Sequence, residues 1–159
     1  MNHPFPSEGN LPRVMALVPA YNAELFIIPT LESLAAQDYP NLEVLICDDA
    51  STDNTFEICI DFAANHRNFK VIRNEKNLGW LKTSELLWKT GAGQSDFCFS
   101  NPHDDHPSPQ YTSSLISLFD KNPLAVLAIP GMKNFYSDGI VIDSFYTACS
   151  DESDLVKRT

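Results

Sequence analysis

Leu42-Glu43-Val44-Leu45-Ile46-Cys47-Asp48-Asp49-Ala50-Ser51-Thr52-Asp53 decides the fold. An apolar run of strand length, Leu42 to Cys47, empties into two carboxylates and a set of turn-forming residues. Phe56, Cys59, Ile60 and Ala63 then recur at i, i+3, i+4 and i+7, the spacing of one helix face. Upstream the same unit occurs once already. Val14 to Val18, bounded by Pro12 and Pro19, reads as a buried strand, and Pro29, Leu31, Leu34 and Ala35 read as a helix with proline in its first turn. Downstream it repeats. Phe69 to Ile72 is a third strand, followed by a helix with Trp80, Leu87 and Trp88 on one face, ending near Gly91 and Gly93. Phe97-Cys98-Phe99-Ser100 is a fourth strand, Tyr111, Leu115, Leu118 and Phe119 mark another helix, and Leu124 to Ile129 predicts a fifth strand. Alternating strands and helices predict an α/β fold with a mostly parallel sheet and right-handed crossovers.

Such sheets bind ligands outside the carboxyl ends of their strands. Four polar segments follow directly after strands: Pro19 to Asn22, Asp48 to Ser51, Arg73 to Gly79, and His103 to His106. Topology therefore gathers them at one edge, where they are expected to form one pocket. The 159 residues are 43% hydrophobic, enough for one domain with a real core. A formal charge of -10 with 11 scattered Lys and Arg argues against a nucleic-acid groove. A polyanionic ligand on so acidic a chain calls for a metal ion or a local basic patch.

Cys47, Cys59, Cys98 and Cys149 form no CxxC pair, so zinc and thioredoxin-like chemistry are not indicated, and small buried thiols of a reduced protein are expected. Residues 1–12 read as a flexible leader, 13–150 as the domain and 151–159 as a polar tail. The sequence offers neither a secretory signal pattern nor an apolar stretch long enough to span a bilayer. A cytoplasmic protein is expected, with peripheral association at the inner membrane face as an option.

Asp104 and Asp105, between Pro102 and Pro107, suit hard oxygen ligation of Mg²⁺ or Mn²⁺. A solvated turn that caps the next helix is the blander account. His103 and His106 are either further ligands or polar loop residues. Asp49 is placed to accept a hydrogen bond from the N3–H of a pyrimidine or from ribose hydroxyls, Tyr21 to cover a base or pack on the sheet edge, and Ser51, Thr52 and Asp53 are able to cap the following helix, with Ser51 or Thr52 preferred.

VMALVPAYN at Val14 to Asn22, QDYPNLEVLICDDASTDNT at Gln37 to Thr55, Asn77-Leu78-Gly79 and His103-Asp104-Asp105, in that order and spacing, resemble family 2 glycosyltransferases of the GT-A fold. The resemblance implies a three-layer α/β sandwich with a Rossmann-like sheet. It also implies a nucleotide-diphosphate sugar donor, with a UDP-sugar expected, and transfer with inversion to a saccharide or lipid-linked acceptor in cell-surface polysaccharide or glycoconjugate synthesis. Pro19, Ala20 and Tyr21 would line the base and Asp49 would bind it. Asp104 would touch the ribose or sugar, and Asp105 would touch a Mn²⁺ or Mg²⁺ ion, with Asp104 and His103 as further ligands. The family often carries Arg a few residues after Asn-x-Gly, where this chain has Lys82, Thr83 and Ser84; Lys82 can substitute as a point charge on the diphosphate. The general base of similar enzymes lies beyond the aspartate pair. None of Asp138, Asp143, Asp151, Glu152 and Asp154 falls in a matching motif, so the base and the acceptor-binding portion are expected outside this chain.

Four other readings compete. A non-catalytic nucleotide-sugar-binding module fits the missing base. A phosphoacceptor receiver domain would carry its acidic pair after the first strand, where this chain has Pro19-Ala20-Tyr21-Asn22. Sugar nucleotidyltransferases and Rossmann dehydrogenases need a glycine-rich loop after that strand, and no glycine lies between Leu11 and Lys76.

Overall fold

The computed structural model describes residues 11–122, 124–128, 132–135 and 141–144. Most of the leader, the polar tail, Cys149 and the carboxylates Asp138, Asp151, Glu152 and Asp154 lie outside them. The chain divides into two compact units, Met1–Thr112 and Ser113–Thr159.

The first unit is built on strands β1 (Val14–Ala20), β2 (Leu42–Asp48), β3 (Phe69–Arg73) and β4 (Phe97–Ser100), with helices α1 (Ile27–Ala35), α2 (Thr55–Ala64) and α3 (Trp80–Ala92) between them. All four strands are parallel, in the order β3-β2-β1-β4. β1 and β2 occupy the middle, which is why they read as unbroken apolar runs: every residue of β1 is buried. The connections from β1 to β2 to β3 step one way, and the one from β3 to β4 steps back across the sheet. Right-handed crossovers then put α1 and α2 on one face and α3 on the other. Side-chain alternation agrees, because Met15, Leu17, Leu45 and Cys47 pack with Leu87 of α3, leaving Ala16, Val18, Val44 and Ile46 for the opposite face. The result is the three-layer α/β sandwich that the sequence predicts.

Several faces differ from the expectation. On α3 the buried positions are Thr83, Leu87 and Gly91, one i, i+4 row, whereas Trp80 and Trp88 are exposed. On α2 the buried positions are Thr55 and Cys59, and Ile60 faces out. Neither Ser51 nor Thr52 caps α2. The Thr55 amide instead donates to Asp53 Oδ1 at 3.0 Å, while Ser51 Oγ and the Thr52 amide meet the loop after β1.

Gly91 fits its place through size. A Cβ there would lie 2.8 Å from Cys98 Sγ and 3.1 Å from Leu17 Cδ2, so glycine lets α3 approach the β1–β4 pair. Gly91→Ala is expected to lower stability by about 1–2 kcal/mol, overpacking outweighing roughly 1 kcal/mol of helix propensity. Urea unfolding measures this, and adding Cys98→Ala should recover much of the loss; an unchanged midpoint for Gly91→Ala would refute the close-packing account.

The second unit contains most of α4 (Tyr111–Lys121) and an antiparallel pair, β5 (Met132–Phe135) and β6 (Val141–Ser144). The fifth strand expected at Leu124 to Ile129 does not form over its described residues, 124–128, which are irregular. Leu124 and Val126 are 96% and 95% exposed, and apolar composition alone does not make this run a strand. Among the described residues no helix is long and apolar enough to cross a membrane.

Candidate functional site

The loops after β1 and β2 are laced together. The Asn22 amide donates to Ser51 Oγ at 3.0 Å, and Asn22 Oδ1 accepts from the Thr52 amide at 2.9 Å. The Ala23 amide reaches Thr55 Oγ1 at 2.7 Å, and Glu24 Oε2 accepts from the amide and side chain of Asn54. Asn22 and Ala50 both adopt positive φ, 48° and 57°. For alanine that conformation costs about 1 kcal/mol, held in place by this lattice of bonds.

Asp48 and Asp49 end β2 with opposite duties. Asp48 is fully buried beneath the loop, where its Oδ2 meets Arg73 Nε at 3.0 Å and the Ser51 amide at 3.2 Å. Arg73 continues to the Ser51 carbonyl at 2.8 Å and lies over the Phe56 ring. Asp49 turns towards the loop after β3: Oδ1 accepts from Asn74 Nδ2 at 2.7 Å and the Leu78 amide at 2.9 Å, and Oδ2 from the Gly79 amide at 2.8 Å. Burial would push this carboxyl up, but the bonds from Leu78, Asn74, Thr83 and Gly79 outweigh it and hold it below the usual carboxylate range. Gly79, at φ 84°, makes the turn into α3 that lets both amides point at one carboxylate.

A cleft of about 250 Å³ opens at this edge. The end of β1 supplies Pro19, Ala20 and Tyr21, and β2 supplies Asp49. The turn into α3 adds Asn77, Gly79, Trp80 and Thr83, and the loop after β4 adds His103. Four of the expected nucleotide-binding residues, Pro19, Ala20, Tyr21 and Asp49, are therefore neighbours. Lys82 is exposed and stands apart from the cleft wall; Glu85, one helical turn on, feels its charge. Sequence reasoning missed Asn74, which joins Asp49 to Thr83 Oγ1, and the position of Trp80 on the wall.

His103 is fixed from two sides, its carbonyl accepting from Thr30 Oγ1 at 2.7 Å and its Nδ1 lying 3.3 Å from the Pro19 carbonyl. In the neutral ring that bond puts the proton on Nδ1 and leaves Nε2 with a free lone pair. Asp104 and Asp105 lie on the exposed part of the same loop, which Asn101 braces by donating to the carbonyls of Pro102 and Asp105. Partial burial and then the adjacent Asp104 charge raise the Asp105 carboxyl, with His106 and His103 opposing. A carboxyl whose ionisation a neighbouring negative charge disfavours suits a cation. Among the described residues, however, no three His, Cys, Asp or Glu side chains gather into a protein-only metal cluster. The adjacent carboxylates of Asp104 and Asp105 are hard oxygen donors of the kind that Mg²⁺ and Mn²⁺ take, and such ions commonly complete their shell with groups from outside the protein. The buried thiols play no part here: burial pushes Cys47 up to about 11 and Cys59 up to about 12, so both stay protonated.

A parallel sheet with its polar loops gathered around a cleft at the carboxyl edge defines a ligand-binding α/β domain. Residues 15–139 match the family described as Glycosyl transferase family 2, and the chain belongs to that family. Chondroitin synthase of Escherichia coli is 42% identical over 139 residues, covering 86% of this chain and 19% of the relative. The crystal structure of residues 1-349 of Staphylococcus aureus TarS in complex with UDP-GlcNAc superposes with a TM-score of 0.63 at 31% identity, over 69% of this chain and 31% of that one. A mannosyltransferase from Pyrobaculum calidifontis in complex with GDP-Man and Mn²⁺ gives a TM-score of 0.55 at 26% identity, over 63% of this chain and 30% of the other. The chain spans less than half the length of the curated relatives it matches, 34% and 46% for two bacterial glycosyltransferases.

Proposed function

We propose that this chain is the donor-binding part of an enzyme that transfers a sugar from a UDP-sugar to an acceptor hydroxyl with inversion, in the building of a cell-surface polysaccharide or glycoconjugate. The observation that carries the reading is the cleft joining Tyr21, Asp49 and His103 in a chain that matches the family over residues 15–139. The UDP-GlcNAc complex of TarS and the likeness to chondroitin synthase support a UDP-sugar donor and a saccharide-type acceptor.

In this reading Pro19, Ala20 and Tyr21 face the base, Asp49 sets the depth of its subsite, and Asp104 approaches the ribose or sugar. A Mn²⁺ or Mg²⁺ ion, when bound, neutralises the charge that develops on the diphosphate leaving group. Asp105 would hold it, with Asp104 and the free Nε2 of His103 as further donors, and the mannosyltransferase complex with Mn²⁺ supports the use of a divalent ion. Lys82, exposed on α3, is in this reading the point charge that reaches the diphosphate beside the metal. Among the described residues Asp49 is the one carboxylate on the cleft wall, and its oxygens are already engaged by the turn into α3. In this reading the base that takes the acceptor's proton comes from another part of the enzyme.

Calorimetric titration of the 159-residue chain with UDP, with and without Mn²⁺, tests the reading. Micromolar-range binding that tightens about tenfold or more with Mn²⁺, and loses that increment in Asp105→Ala, is the expected result. Equal affinity with and without metal would remove Asp105 from its role, and heat-silent titrations with both UDP and GDP would remove the donor site itself.

A further inference from the structure

Trp80 is the first residue of α3, and its side chain forms part of the cleft wall while remaining 64% exposed. Tryptophan is rarely left so open to water, since it carries the largest apolar surface of any residue. Tyr21, on the same wall, is 41% exposed. Two rings therefore present bare faces within one cleft. The backbone beneath Trp80 is unusually well fixed for a surface turn: the Leu78 and Gly79 amides are tied to the buried Asp49, and the Thr83 amide closes the first helical turn on the Gly79 carbonyl at 3.1 Å. An aromatic platform held this way loses little freedom when a ligand lands on it.

We infer that Trp80 is an aromatic contact for the nucleobase of the donor, presented by the Asp49-anchored turn beside the subsite of Tyr21. The inference rests on the donor-site reading above. A nucleobase is the occupant because the ring stands one residue from Gly79, whose amide binds Asp49, at the end of the cleft where that reading seats the base. Every base has a π-face, so stacking on Trp80 supplies affinity and leaves base choice to hydrogen-bonding groups. Asp49 and Asn74 act here as positioning residues, working through the turn.

The chain has two tryptophans, and Trp88 is not on the cleft wall. Trp88→Phe therefore makes Trp80 the sole indole. Titrating that variant with UDP is expected to quench or shift its fluorescence with a midpoint equal to the calorimetric Kd. Trp80→Ala should weaken UDP binding about tenfold or more, the loss of one stacked base, whereas Trp80→Phe should hold it within about threefold because a smaller ring still stacks. Trp80 is 64% exposed and lies outside the core cluster of Met15, Leu17, Leu45, Cys47 and Leu87, so a native unfolding midpoint is expected for both. Calorimetric binding with silent Trp80 fluorescence, or an unchanged Kd in Trp80→Ala, overturns the inference and leaves the donor site standing. No UDP binding to the unmodified chain overturns both.

Discussion

Asp49→Asn is expected to lower the unfolding free energy by about 3 kcal/mol and to loosen the turn at Asn77 to Gly79. The buried carboxylate accepts from two backbone amides and one side-chain amide, and each bond to a charged partner is worth roughly 1.5–3 kcal/mol. Asparagine keeps the size but offers one oxygen, and its own N–H groups would face donors from Asn74, Leu78 or Gly79. Urea unfolding at neutral pH measures the loss; a change under about 0.5 kcal/mol would mean the bonds are dispensable. The effect should depend on pH in a defined direction. Hydrogen bonds hold the Asp49 carboxyl below its usual range against the opposing effect of burial, so its folded pKa lies under its unfolded one. Its stabilisation is complete above the ordinary carboxylate pKa of about 4 and is lost as pH falls through the lower, folded value. The gap between parent and variant should accordingly narrow below about pH 4. UDP affinity should fall with the turn, since Trp80 rides on it.

Why the sequence shows some of this and hides the rest follows from how each signal arises. β1 and β2 are legible because central parallel strands must be apolar on both faces, and VMALVPA and LEVLICD have nearly no polar residue to break the run. The gathering of four loops at one edge follows from topology alone, and so the cleft wall at Pro19, Ala20, Tyr21, Asp49 and His103 was foreseeable. The face of α3 was not. Trp80 and Trp88 look like core residues by hydrophobicity, but the sheet accepts the smaller row Thr83, Leu87 and Gly91 because α3 must come close to β1 and β4. The partners of Asp49 are mostly backbone amides, which carry no side-chain signature, so the sequence shows a carboxylate at a strand end and hides that it also anchors a turn. Leu124 to Ile129 has the composition of a strand, and composition alone does not decide pairing: residues 124–128 are irregular.

The second large effect concerns Asp48, one residue before the anchor. Arg73→Met is expected to destabilise the chain by about 3 kcal/mol, the lower end of what removing one partner of a buried pair costs. The lower end applies because Arg73 is itself 38% exposed, so water softens the loss, while the Asp48 side chain is completely buried. Methionine retains an apolar stem near Phe56 but deletes the 3.0 Å contact to Asp48 Oδ2 and the 2.8 Å bond to the Ser51 carbonyl. Asp48 Oδ1 already lacks a hydrogen-bond partner, so after the substitution the Ser51 amide alone would face the carboxylate's charge. A buried charge, more than a lost attraction, causes the instability. That distinction is testable, because Asp48→Asn placed on Arg73→Met removes the charge and should restore at least half of the stability, whereas a simple loss of contact would make the two changes add. The damage should also reach the cleft. Asn74 follows Arg73 directly, its amide binds the Asp48 carbonyl at 2.9 Å, and its side chain joins Asp49 to Thr83. Displacing the end of β3 therefore moves the same turn that carries Trp80, and UDP binding in Arg73→Met should weaken even at temperatures where the variant is fully folded.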